Sequence, residues 1–368
     1  MKPVIRPKLA DIAREAVLST AAVSMALRNH PSIPAPTRER VREIAERIGY
    51  RPNPLVSALM SQLQTGREER KISRIAIVDA WPLEVGWKAY PLFARQAEGI
   101  RKRAHALGYE VEEFRLKEHG MNPKRLSKIL ATRGIAGVII PPMPKGLSRL
   151  HLAWDHFASV AVNYSLIRPE LHRAAFDTYQ TSWQAFRALH RLGYRRLGIA
   201  LTAEDNQRSL SHNLGAFSAF SFRLAEKDRV PPHLCESPER QSFLTWLRTY
   251  RPDVLLTYRW EFREWVEEAG LRTPEDIGYA CLASAKPHFA GIDQNGAGVG
   301  AAAIDLLVAQ LHRNERGIPA QPTTLLVEGS WVPGPTVRQV SAPPAPAANA
   351  ARSSAKSAAK RRKDIGVP

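Results

Sequence analysis

Apolar residues in the first fifty positions recur at helical spacing. Leu9, Ile12, Ala13 and Ala16 fall on one stripe, and Val41, Ile44, Ala45 and Ile48 on another. Between them, Ser19–Arg28 offers Val23 and Leu27 as an inward face, with Ser19 placed to cap the first turn. Only Val17 and Leu18 separate the first helix from the second, so the chain must turn sharply there. The proline-rich stretch His30–Pro36 is expected to be non-helical, and Thr37 to cap a third helix. Three short helices with a tight first turn describe a helix-turn-helix unit. A small helical bundle with no role on DNA shares that pattern.

From Ile72 onward the pattern changes. Short apolar runs predict strands at Arg74–Ala80, Tyr109–Leu116, Gly137–Ile140, Ser159–Asn163, Arg196–Leu201, Asp253–Thr257, Ile277–Leu282 and Thr324–Glu328. Longer amphipathic stretches predict helices at Phe93–Leu107, Pro123–Arg133, Thr181–Arg191 and Val299–Arg313. Alternating strands and helices imply parallel, helix-covered sheets, and a region this long suits two of them. The fold class is therefore α/β, behind a small helical N-terminal domain.

Composition adds charge to this picture. The 368 residues carry 53 Lys and Arg against 35 Asp and Glu, a formal net charge of +18. The excess is densest at the two ends: residues 1–71 hold 13 basic and 7 acidic side chains, and residues 341–368 hold 6 and 1. Such a balance points to a polyanionic partner, nucleic acid or an anionic membrane surface. No apolar run is long enough to span a membrane, and no secretory signal is expected at the N-terminus. Cys235 and Cys281 are too few for a disulfide framework and fit a reduced cytoplasm. The Ala/Pro/Ser/Lys-rich stretch 339–368 is expected to be a disordered basic tail, either a solubilising extension or a phosphate binder.

The motifs Asp11-Ile-Ala, Leu18-Ser-Thr, Val23-Ser24, Thr37-Arg-Glu-Arg-Val41 and Gly49-Tyr-Arg-Pro-Asn53 run through about 55 consecutive positions. This stretch resembles the DNA-binding headpiece of the lactose-repressor/galactose-repressor (LacI/GalR) family. The resemblance implies that Ser19 opens a recognition helix lying in the major groove. It places Thr20, Ala21 and Met25 at base-reading positions, and Ser24, Arg28 and Asn53 where phosphate is touched. After Pro52-Asn-Pro54 it implies a hinge helix whose Leu59, followed by Met60, wedges into the minor groove. Leu59 as a plain core residue is the alternative. Two departures from the family matter. Its turn glycine is Val17 here. The reading positions hold no Arg, Asn or Gln, so more shape readout and less hydrogen-bond readout is expected.

Leu192-Gly-Tyr-Arg-Arg-Leu-Gly-Ile-Ala, Thr273-Pro-Glu-Asp-Ile-Gly-Tyr and Gly291-Ile-Asp-Gln-Asn resemble the same family's effector domain. That domain has the two-lobed fold of a periplasmic binding protein, with a ligand in the cleft. The resemblance implies crossovers near Asn163–Pro169, Phe289–Gln294 and Glu328–Trp331. The family's Arg before a Leu-Ala-Gly-Phe stretch is replaced by Asn213, and the carboxylate expected near Ser284 is absent. Candidate effector-binding residues are then Asp79, Trp81, Asn163, Tyr164, Asp177, Asn213, Ser284 and Gln294, with Trp87, Tyr90 and Phe93 at the opening.

Enzyme signatures are weak. Gly296-Ala-Gly-Val-Gly300 imitates a dinucleotide fingerprint, but the preceding stretch is short and polar, and Glu328 lies too far on. No catalytic residue, metal site or cofactor is expected. The division expected is a headpiece at 1–52, hinge and linker at 53–71, an effector and dimerisation domain at 72–338, and the tail. The function expected is a cytoplasmic, nucleoid-associated transcriptional regulator of the repressor type. It would bind a palindromic operator as a homodimer under control of a small-molecule effector, a sugar among the candidates. The alternative is a DNA-binding regulator whose cleft no longer senses a ligand.

Overall fold

A computed structural model describes residues 8–27, 30, 32–48, 50, 73–283 and 288–340. The expected hinge helix with Asn53, Leu59 and Met60, the basic tail from residue 341, and the single positions Arg28 and Ser284 lie outside the described residues, whereas Val340 at the expected start of the tail donates its amide to the Leu192 carbonyl at 2.7 Å.

Three helices open the chain: α1 (Leu9–Ala16), α2 (Thr20–Leu27) and α3 (Ala35–Arg47). Their apolar stripes converge on a core of Ile12, Ala16, Val23, Ala26, Val41 and Ile44, with Leu18 and Tyr50 packed at its edge. The turn between α1 and α2 places Val17 in the left-handed region, at φ 54°. Ser19 Oγ accepts from the Ala22 amide at 3.1 Å, so it opens α2 as its composition suggests. The third helix begins earlier than expected, at Ala35 with Pro36 in its first turn. A proline there costs no hydrogen bond, because first-turn amides have no intrahelical partner. Arg40 donates to the Ala16 carbonyl at 2.6 Å, tying α3 to the end of α1.

The remainder builds two sheets. β1 (Ser73–Asp79), α4 (Pro91–Ala106), β2 (Tyr109–Arg115), α5 (Pro123–Thr132), β3 (Gly137–Ile140), β4 (Ala158–Val162) and β5 (His172–Phe176) form most of the first lobe. α6 (Thr178–Arg191), β6 (Leu197–Thr202), α7 (Ala203–Arg208), α8 (His212–Ser221), β7 (His233–Cys235), α9 (Arg240–Tyr250), β8 (Val254–Thr257), α10 (Trp260–Glu268), β9 (Gly278–Cys281) and β10 (Ala290–Asp293) follow in the second. α11 (Gly296–Arg313) and β11 (Thr324–Val327) return to the first lobe, and β12 (Ser330–Val332) ends in the second.

Among the described residues the sheets run β11-β5-β4-β3-β1-β2 and β12-β10-β9-β8-β6-β7. Among the described strands, only the β10–β12 pairing is antiparallel. Strands β3, β4, β6 and β8 are buried along their whole length, as expected of parallel strands covered on both faces.

The chain crosses between lobes after Phe176, at Gln294–Asn295 and at Glu328–Gly329. The last two crossings fall where expected. The first does not: Asn163–Pro169 is a loop joining β4 to β5 within one lobe. β5, led by His172 and Arg173, lacks the apolar run that would have marked it as a strand. The glycine run at the start of α11 serves packing. A Cβ on Gly300 would sit 2.1 Å from the Gln96 carbonyl oxygen, and one on Gly99 would sit 2.1 Å from that of Ala297. α4 and α11 therefore meet backbone to backbone.

Candidate DNA interface and effector cleft

On α2 the buried positions are Val23 and Ala26, which face the headpiece core. The turn away from that core exposes Ser19, Thr20 and Ala21, with Ser24 and Met25 half-buried beside them. Five of the expected DNA-facing residues thus share one edge of one helix. Ser19 differs in role from its neighbours, because its hydroxyl is engaged as the cap. What the edge presents is a methyl-bearing hydroxyl, a methyl and a thioether, suited to thymine methyls and groove shape.

The two lobes enclose a cleft of about 540 Å³. Trp81, Asn163, Tyr164 and Gln294 line it as expected. One wall is aromatic. Trp81, Tyr90 and Phe93 pack with ring centroids 5.2 Å (Trp81–Tyr90), 5.5 Å (Tyr90–Phe93) and 6.3 Å (Trp81–Phe93) apart. Trp81 is fixed by its indole N–H, which donates to the Pro142 carbonyl at 2.6 Å. Tyr164 lies under the Arg173 guanidinium, 5.4 Å from ring centroid to carbon. Burial pushes the Tyr164 phenol up and the Arg173 guanidinium down from their usual ranges.

Asp79, Asp177, Asn213 and Trp87 stand outside the cavity wall. Asp79 is buried beneath Trp81 and accepts from its amide at 2.8 Å. Burial raises its carboxyl above the usual carboxylate range. Asp177 caps α6, accepting from the Gln180 amide at 2.9 Å. Asn213 is buried one layer back. It accepts from the Ser182 hydroxyl at 2.8 Å and donates to the Tyr258 phenol oxygen at 2.9 Å. Trp87 is wholly buried in the core instead of lining the opening.

Charged residues of the cleft were not legible in the sequence. Arg259, just after β8, lines it together with Glu204, Asp205 and Arg208 of α7. Arg259 grips Asp205 in a bidentate pair, both contacts at 2.9 Å, and this bond holds its guanidinium above its usual range. An arginine and an aspartate do meet in the cleft, but at positions other than the family's and committed to each other. Lys145 of the first lobe reaches Glu204 of the second at 3.3 Å. Thr202-Ala-Glu-Asp was the available signal, since it caps α7 through the Thr202 hydroxyl and the Asp205 carboxylate.

Among the described residues no His, Cys, Asp and Glu group is arranged to hold a metal ion, and no helix is long and apolar enough to cross a membrane.

Residues 8–53 match the family described as bacterial regulatory proteins, lacI family. Over 55 residues, 15% of this chain and 17% of the relative, the sequence is 44% identical to catabolite control protein A of Priestia megaterium. Over 235 residues, 64% of this chain and 65% of the relative, it is 21% identical to the sucrose operon repressor of Pediococcus pentosaceus. The chain spans less than two thirds of the length of these curated relatives. A crystal structure of the lac repressor dimer bound to operator and the anti-inducer ONPF shares the fold. Its TM-score is 0.51 at 17% identity, over 90% of this chain and 99% of that one.

Proposed function

We propose that the chain is a transcriptional regulator of the LacI/GalR family, a repressor that binds a palindromic operator as a homodimer under small-molecule control. The observation that carries the reading is the edge of α2: Thr20, Ala21, Ser24 and Met25 stand together outside the headpiece core, within the stretch that matches the family. A two-fold dimer presents two such helices to two half-sites, which matches a palindrome. In this reading residues 1–52 read DNA, 53–71 form the hinge and linker, 72–338 bind effector and dimerise, and 339–368 are an appendage. The protein acts in the cytoplasm on the nucleoid, and no catalysis is involved.

The effector sits between the lobes, where binding shifts their balance and so alters operator affinity. An open, aromatic-walled cavity of about 540 Å³ favours this over a regulator whose cleft has closed to ligands. The sucrose operon repressor among the relatives makes sugars the first class to test.

Selection of binding sites from random duplexes tests the reading. The parental protein should return a palindrome. Thr20→Ala and Met25→Ala should each shift the preferred bases, because a lost base contact changes discrimination by about 1–3 kcal/mol. Variants that select the parental consensus unchanged would remove α2 from base reading. A parental protein that selects nothing would overturn the function itself.

A further inference from the structure

The charges inside the cleft narrow the chemistry of its occupant; this step rests on the reading that the cleft holds the effector. A neutral sugar is recognised by acceptors and donors left free for its hydroxyls. Here the cleft's two carboxylates are already engaged, which leaves the Asn163 amide and the Tyr164 and Thr178 hydroxyls as its neutral acceptors. Asp205 Oδ1 accepts from Arg259 at 2.9 Å, and Oδ2 accepts from Arg259 at 2.9 Å and from the Thr202 hydroxyl at 2.8 Å. Glu204 faces Lys145 at 3.3 Å and Arg259 at 3.7 Å. One donor is committed as well: the Gln294 side-chain amide donates to the Leu282 carbonyl at 3.3 Å.

Among the charged lining residues described, Arg208 is the exception. It ends α7, lines the cavity, is half-buried, and has no hydrogen-bond or ion-pair partner among the described residues. Among the described residues Lys145, Arg208 and Arg259 stand against Glu204 and Asp205, so their sum leaves one uncompensated positive charge, and that charge is Arg208. An arginine fork left without an acceptor in a partly dehydrated cleft is unfavourable, and a carboxylate or phosphate satisfies it with two parallel bonds. A second open surface is the Trp81, Tyr90 and Phe93 wall, which offers ring faces and edges for stacking.

We infer that the cleft binds a ring-bearing organic anion, with its ring on the Trp81–Tyr90–Phe93 wall and its anionic group on Arg208. Sugar acids, sugar phosphates and aromatic carboxylates share this chemistry.

Calorimetric titration of the full chain with matched pairs separates these sources. The pairs are glucose with glucuronate, glucose with glucose 6-phosphate, and benzyl alcohol with benzoate. In at least one pair the anion should bind, and its neutral counterpart should bind roughly 30-fold more weakly, the scale of a lost charge-assisted hydrogen bond. Arg208→Gln should abolish that difference while Arg208→Lys keeps part of it. Unchanged thermal unfolding in both variants would show that the loss is local. The inference is overturned by a neutral sugar that binds as tightly as its acid, by an anion whose affinity Arg208→Gln leaves unaltered, or by no anion binding at millimolar concentration. Gel-shift on the selected operator distinguishes the two readings. Anion binding without any DNA binding would keep the cleft chemistry and remove the regulator; DNA binding with no anion binding would do the reverse.

Discussion

Val17 is a β-branched residue held at φ 54° and almost fully exposed, in a turn where its side chain packs on nothing. L-residues there are strained by about 1–2 kcal/mol, a strain glycine lacks. Val17→Gly should therefore stabilise the headpiece by about 1 kcal/mol after the added flexibility of the unfolded chain is deducted. Amide exchange of α1–α3 in the full chain should slow about fivefold. Faster exchange would mean that the turn is not strained. Asp79 is a second local conflict. Burial lifts its folded pKa above the unfolded value of about 3.9, so the folded state holds the proton more tightly. The charged carboxylate then lowers stability at neutral pH, and this penalty disappears as pH falls through the raised pKa towards the unfolded one. Asp79→Asn keeps an acceptor for the Trp81 amide. It should raise Tm at pH 7, with the advantage shrinking towards pH 4. A shift in Tm that is the same at every pH would show that charge is not the cause.

Among elements, the crossing of α4 and α11 is the closest approach for which glycine is required among the described residues of the two lobes. Gly300→Ala would place a methyl against the Gln96 carbonyl, which cannot swing aside as a flexible side chain could. Overpacking of this kind costs about 1–3 kcal/mol, so thermal unfolding should begin several degrees lower. An unchanged melt would mean that the helices can separate freely. This contact also shows what the sequence could and could not say. Gly296-Ala-Gly-Val-Gly300 imitates a dinucleotide fingerprint that its flanks do not support, and its packing role is invisible until the partner helix, about two hundred residues upstream, is known. The buried runs at β1, β3, β6 and β8 were legible because parallel strands need continuous apolar residues. β5, β7, β10 and β12 were not. They are short or polar and exist because neighbours supply their hydrogen bonds. Among cleft residues, Trp81, Asn163, Tyr164 and Gln294 were found at strand ends and crossovers. Arg208 and Arg259 were missed because charged residues in loops and short helices carry no periodic signal.

At the scale of the whole molecule, the lobes are joined by three strands of chain and by a few polar contacts whose worth differs. Lys145–Glu204 spans the cleft mouth, but the lysine side chain is 80% exposed, and such a pair contributes at most about 1 kcal/mol. Arg95 on α4 binds Asp293 at the end of β10 through two bonds, at 3.0 and 3.2 Å, and Asp293 also accepts from the Asn295 amide at 2.9 Å. That cluster sits on the crossover itself, with Asn295 capping α11 and donating to the Glu328 carbonyl of the neighbouring crossover at 3.3 Å. Geometry at the hinge should therefore depend on Arg95, and the mouth pair should matter little. Arg95→Ala is expected to broaden the range of lobe angles, read as a larger radius of gyration in small-angle scattering. Lys145→Ala should leave the radius unchanged within error. Because effector control needs two lobe arrangements with different ligand affinity, Arg95→Ala should also weaken the response of operator binding to ligand more than it weakens operator binding itself. Equal scattering and equal ligand response in Arg95→Ala and the parent would place the hinge's restraint in the three crossover strands alone.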